Sequence, residues 1–166
     1  MTDLKSKEIR SEITSEGKLN LSIVTSDVPT PGDDDVLIKV EASPINPSDL
    51  GLLISFAADL DSISSQGSGE DTVTTMGIHP GLMQSMKPRI DKSMKVGNEG
   101  GGVIVDAGKN VKNLIGKTVG VAGGAMYSQY RCLPAMSCLV MNEGTTSVEA
   151  ASSFVNPLTA LGFTET

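Results

Sequence analysis

The segment Leu114-Ile115-Gly116-Lys117-Thr118 ends in Gly-Lys-Thr, the closing triplet of a phosphate-binding loop, whose lysine neutralises phosphate charge while glycine amides surround it. That loop also needs a glycine five positions before its second glycine, where Val111 stands, and it must open a helix, whereas Thr118 begins a β-prone run. The triplet therefore reads as a turn entering a strand. Gly100-Gly101-Gly102 fails a dinucleotide fingerprint for a similar reason: Gly-x-Gly-x-x-Gly opens a helix, and here the glycines lead into Val103-Ile104-Val105. A zinc site wants three or four Cys, His or carboxylate ligands. The inventory is one histidine, His79, and two cysteines, Cys132 and Cys138, which read as a surface histidine and two small core or strand residues. Asn20-Leu21-Ser22 spells a glycosylation sequon, but no secretory h-region precedes it, so it reads as accidental.

The elements around these residues are mostly short strands. Ile9 to Thr14 and Leu19 to Val28 flank Ser15-Glu16-Gly17-Lys18, and Leu19, Leu21 and Ile23 alternate with polar neighbours, which predicts a hairpin. Pro29 to Asp35 is a stiff acidic turn before Val36-Leu37-Ile38-Lys39-Val40-Glu41-Ala42, the strongest strand in the chain. Ser43-Pro44-Ile45-Asn46-Pro47-Ser48-Asp49 then breaks the strand twice, and Ser48 or Asp49 is placed to cap a helical turn running to Phe56. Residues 59–75 are rich in Ser, Gly and Asp without periodicity and predict an exposed, mobile loop within a flexible insertion at about 55–80. Pro88 interrupts the helical spacing of Leu82, Met86 and Ile90, so a short broken helix is expected there. Three further runs, 103–107, 118–122 and 128–133, read as strands, and Ser147 opens a C-terminal helix over 147–166.

With 166 residues the chain has room for one domain. A hydrophobic share of 39% supports a core and argues against wholesale disorder. Aromatics at 3% leave no base-stacking platform, and 20 acidic against 13 basic residues, a net charge of −7, lack the basic face that phosphate backbones require. Nucleic acid is excluded as a partner on these grounds. The longest uncharged stretch, Ala150 to Thr164, is too short and too polar to span a bilayer. Two cysteines form no disulfide framework, and the chain reads as cytoplasmic with no membrane partner. The expectation is a mainly β, barrel-like domain with short helices.

Four blocks carry a resemblance: Val36 to Asp49; Val96-Gly97-Asn98-Glu99-Gly100-Gly101-Gly102-Val103-Ile104; Gly116-Lys117-Thr118-Val119-Gly120-Val121; and Ser153-Phe154-Val155-Asn156-Pro157-Leu158-Thr159-Ala160. In this order and spacing they resemble the N-terminal catalytic domain of the medium-chain dehydrogenase/reductase superfamily, most closely its zinc-free quinone oxidoreductase and enoyl reductase branch. The likeness covers about residues 8–166, with 55–93 matching poorly.

The resemblance implies a GroES-like, partly open β-barrel over residues 1–166 that lacks the Rossmann nucleotide-binding lobe. It also implies hydride transfer from NADP(H) or NAD(H) to a small-molecule quinone or conjugated carbonyl, with no cofactor held tightly by this lobe alone. Zinc-dependent members carry Cys and His where this chain has Asn46 and Asn98, so no zinc is expected. Asn46, presented by Pro47, becomes a donor to a carbonyl gaining negative charge. Ser48 falls on a proton-relay position or simply caps its turn. Asp49 and Glu99 position neighbours or substrate, or else accept backbone amides. Asn156 and Thr159 become the cofactor-facing residues, on a segment crossing towards the missing lobe. An uncovered face bearing Phe154, Leu158, Leu161 and Phe163 predicts self-association into a homo-oligomer. The rival expectation is a stand-alone GroES-like binding or assembly module without catalysis.

Overall fold

The computed structural model describes residues 4–165. β1 (Lys5–Ile13) and β2 (Lys18–Asp27) form the expected hairpin, in register from Lys5 opposite Asp27 to Ile13 opposite Leu19. Then follow β3 (Asp35–Ala42), α1 (Pro47–Leu53), β4 (Ala58–Gln66) and β5 (Val73–Ile78). A broken run of short helical turns around α2 (Met83–Met86) matches the interrupted helix read from Pro88. The chain continues through β6 (Met94–Lys95), β7 (Glu99–Ala107), β8 (Thr118–Ala122), β9 (Tyr130–Pro134) and β10 (Cys138–Val140) to α3 (Ser147–Ala151) and α4 (Val155–Thr164).

Among the described residues the strands form two five-stranded sheets, ordered β4-β5-β2-β1-β6 and β10-β8-β7-β3-β9. Residues 127–129 stitch them together. Ile9 donates its backbone N–H to Tyr127 and Gln129 donates to Lys7, each at 2.9 Å, while Val40 of β3 donates to Gln129 at 2.9 Å. The sheets thereby curl into a partly open barrel. One side is filled by Val36, Ile38, Ile104, Val119, Val121, Met126 and Leu133, and the other by Ile13, Leu19, Ala57, Met76 and Ile78. The alternation seen in Leu19 and the run from Val36 to Ile38 thus ends up in two separate cores, each held by burial of aliphatic area. Glu8 sits at the seam, paired with Ser128 across an isolated bridge, and its carboxylate takes Arg10 and, at 3.0 Å, Lys95.

Three sequence expectations are corrected. Residues 59–75, expected as a loop, form most of the β4–β5 hairpin, with β5 paired to β2 over Lys18–Leu21. β4 is an edge strand exposed along nearly its whole length, so neither face selects apolar residues and no period-2 signal arises. The cap of α1 is Asn46, extended at φ −87° and ψ 155°, rather than Ser48 or Asp49. Pro47 excludes helical backbone from the residue before it and suits the first helical position, which moves the boundary one residue earlier. The expected helix over 147–166 is two helices. Were α3 continuous with α4, the Pro157 ring would strike the carbonyl of Ser153, so the chain restarts at Val155 with proline in the new first turn. Ser147 does open α3, and Thr146 caps it, accepting from the Glu149 N–H at 3.2 Å.

The glycine run belongs to β7, and its role is close packing. A Cβ on Gly101 would lie 2.3 Å from the Ser147 carbonyl oxygen and 2.7 Å from the Ala151 nitrogen, and one on Gly102 only 2.1 Å from the Lys39 carbonyl oxygen. The bare Gly101 lets α3 lie directly on the sheet and so sets where α4 begins, while Gly102 lets β3 come close. Gly116 sits at φ +84° in the turn that opens β8, as the failed phosphate-loop match anticipates. Among the described residues no helix is long and apolar enough to cross a membrane.

Candidate active site

The loop after β3, the start of β7 and the start of α4 converge. Pro44 and Pro47 stiffen the loop, and the Asp49 carboxylate reaches back to accept the Asn46 backbone N–H at 2.8 Å, fixing the first turn of α1. The other Asp49 oxygen accepts the Asn98 N–H at 2.7 Å, tying that turn to the residue before β7. Glu99, fully buried, accepts the Asn46 side-chain Nδ2 at 2.8 Å on one oxygen. On the other it takes the backbone N–H groups of Phe154 and Val155, at 3.1 and 2.9 Å. At the rim, exposed Ser48 accepts the Asn98 side-chain Nδ2 at 3.0 Å.

Sequence reasoning singled out Asn46, Ser48, Asp49 and Glu99, and the structure brings all four into one hydrogen-bonded chain ending at α4. Asp49 and Glu99 are enclosed with both oxygens engaged, so here they hold backbone amides and the Asn46 side chain. Because a carboxylate acting here only accepts, the Asn46 amide must turn its nitrogen to Glu99, which fixes the orientation of the group. Ser48 takes Asn98 on its oxygen and, among the described residues, leaves its own hydroxyl hydrogen uncommitted. Asn156 and Thr159 lie on the exposed part of α4, one turn apart, and the Thr159 hydroxyl donates to the Val155 carbonyl at 2.7 Å.

Asn98, Tyr127 and Arg89 were not singled out as site residues. Asn98 was legible only as an amide in place of a metal ligand. Tyr127 donates its hydroxyl to the Pro44 carbonyl at 2.9 Å, and Gly97, at φ +94°, makes room for it, since a Cβ there would lie 2.6 Å from the ring. Burial, followed by the nearby Asp49 carboxylate, pushes the Tyr127 phenol up to about 12, so it stays a neutral donor. Arg89 caps the far end of α1, donating to the Leu52 carbonyl at 2.7 Å and the Gly51 carbonyl at 3.1 Å. No local motif marks such a contact between segments.

A zinc ion does not fit this donor set. Asn46 and Asn98 both present amide hydrogens to neighbouring oxygens, and Glu99 has no oxygen turned outward. The cysteines are placed elsewhere, on β9 and β10, with burial raising both thiols, Cys138 to about 11. His79 is exposed before the broken helical run, and among the described residues no three His, Cys, Asp or Glu side chains gather.

No protein-family model and no curated protein matches the sequence. Solved structures do match. A protein named as an NADPH:quinone reductase from Mesorhizobium loti is 24% identical at a TM-score of 0.63, over 99% of this chain and 45% of that one. The quinone oxidoreductase from Coxiella burnetii is 18% identical at 0.59, over 98% and 46%. A mycobacterial protein complexed with NADPH is 19% identical at 0.61, over 97% and 40%. The chain spans less than half the length of these proteins and matches their N-terminal part. At such identities the likeness establishes the fold alone: a mainly β, GroES-like half-barrel, as the four sequence blocks led one to expect.

Proposed function

We propose that this chain is the substrate-side lobe of a zinc-independent, NAD(P)H-dependent oxidoreductase that delivers hydride to a quinone or conjugated carbonyl. The observation that carries this reading is the single network running from Ser48 through Asn98, Asp49, Asn46 and Glu99 to the first residues of α4. It links a rim of hydrogen-bond donors to the helix that bears Asn156 and Thr159, so the substrate and cofactor sides are held in one rigid frame.

When bound, a reduced nicotinamide supplies hydride. Asn156 and Thr159 are the residues of this chain that would hold its carboxamide. The chain's own chemistry is to stabilise the charge that hydride arrival places on the substrate oxygen. The Ser48 hydroxyl, oriented by Asn98, donates to that oxygen, with the second Asn46 amide hydrogen behind it, and both are fixed before reaction. Asp49 and Glu99 act as positioning residues. Fusing this chain to the nucleotide-binding portion of the Mesorhizobium loti protein tests the reading. The fusion should oxidise NADPH in the presence of a quinone or enone, and Ser48→Ala should lower kcat about tenfold or more with KM for NADPH unchanged. A folded fusion that binds NADPH and reduces neither acceptor overturns it.

A further inference from the structure

Beside the loop that follows β3 lies an open cleft of about 380 Å³, within the size range of small-molecule sites. Ile9, Val40, Ile45, Leu53 and Met126 form its apolar wall. Ile45 immediately precedes Asn46 and Leu53 ends α1, so the cleft borders the same short segment that carries the candidate donors. Three hydroxyls line it and all are spent on backbone carbonyls: Ser43 on Met126 at 2.8 Å, Tyr127 on Pro44 at 2.9 Å, and Ser128 on Ala125 at 2.9 Å. At the rim, Glu41 accepts from Ser147 at 2.8 Å and from Lys39, and these hydrogen bonds hold its carboxyl below the usual carboxylate range. The cleft offers a ligand no unspent hydroxyl and one negative charge, on a chain of net charge −7.

We propose that this cleft receives the uncharged hydrocarbon tail of the substrate, which makes the preferred acceptors neutral, tail-bearing ketones or quinones rather than anionic acyl conjugates. The inference rests on the hydride-transfer reading for the word substrate, but not for the binding itself. An apolar wall holds a chain by removing its surface from water, and the spent hydroxyls leave a carboxylate or phosphate no side-chain donor to repay its desolvation.

The test uses the 15N-labelled full chain titrated at pH 7 with 2-undecanone and, separately, with decanoate, which has a similar alkyl chain and a charge. 2-Undecanone should shift the amides of Ile9, Ala42, Ile45, Leu53 and Tyr127 saturably, and decanoate should bind at least about tenfold more weakly. Ile45→Glu, at a position 72% exposed and so neutral for folding, should weaken 2-undecanone binding by a similar factor. Saturable shifts centred on Phe56 and Leu60 or on α4, equal binding of decanoate, or no saturable binding overturns the proposal. None of these outcomes bears on whether the fusion transfers hydride, and an inactive fusion would leave the tail site standing.

Discussion

Glu99 is the residue on which the site turns. It accepts three hydrogen bonds while fully buried, so removing its carboxylate strands the Asn46 amide and two backbone N–H groups away from water. Charge-assisted hydrogen bonds contribute about 1.5–3 kcal/mol each and do not add simply. Glu99→Ala should therefore lose about 3–5 kcal/mol in urea unfolding, whereas exposed Ser48→Ala should stay within about 0.5 kcal/mol. Equal losses would show that Glu99 is not the tie between β7 and α4. Glu8 sets a pH dependence. Burial pushes its carboxyl up, but hydrogen bonds from Lys95 and Arg10 and their charges outweigh this and leave it below the ordinary 4.5. A depressed folded-state value gives stability that is present above 4.5 and lost as pH falls through the lower folded value. Glu8→Gln should flatten the stability profile below pH 4.5 relative to the native chain, and an unchanged acid limb would contradict the seam's reliance on this ion pair.

At the scale of elements, the site depends on how closely α3 approaches β7 and how firmly α1 is held at both ends. Gly101→Ala forces a Cβ into the backbone of α3, and overpacking of this kind costs about 1–3 kcal/mol. The amides of α3 and of residues 154–155 should shift in its spectrum while those of the β4–β5 hairpin should not. Arg89→Met removes the cap on the Gly51 and Leu52 carbonyls, so hydrogen exchange at Ile54 and Ser55, whose N–H groups bond back to Leu50, should accelerate. Unaltered exchange there would remove Arg89 from the account.

These elements also show what a sequence discloses. The β1–β2 hairpin and β3 were legible because alternation and β-branched runs reflect one-sided burial. β4 was not, since an edge strand wet on both faces selects no pattern. The α1 cap is hard to place from sequence because Pro47 reads equally as a breaker and as a first helical residue, and the structure uses it as the latter. Asn46, Ser48, Asp49 and Glu99 could be picked out through the family resemblance, but apart from the local Asn46–Asp49 contact the bonds of their network cross 49 to 56 positions of chain and leave no local trace.

For the whole molecule, the question is how much of an oxidoreductase these residues supply. Neither a phosphate loop nor a dinucleotide fingerprint is present, and in the proposed reading Asn156 and Thr159 would meet only one end of a dinucleotide. A few hydrogen bonds of about 0.5–1.5 kcal/mol each fall short of the cost of ordering such a ligand. Calorimetry of this chain alone should therefore detect no micromolar NADPH binding. A micromolar affinity would locate cofactor recognition in this lobe and contradict the division of labour proposed above. The most direct test follows the hydride itself. The fusion with the Mesorhizobium loti nucleotide-binding portion is supplied with NADPH carrying deuterium at both C4 positions and with a conjugated enone, and the product is analysed by mass spectrometry and NMR. The account predicts one deuterium on the β-carbon of the saturated ketone, with the yield falling about tenfold in Ser48→Ala. A fusion that binds NADPH yet gives no reduced product, or a product without deuterium, would contradict it.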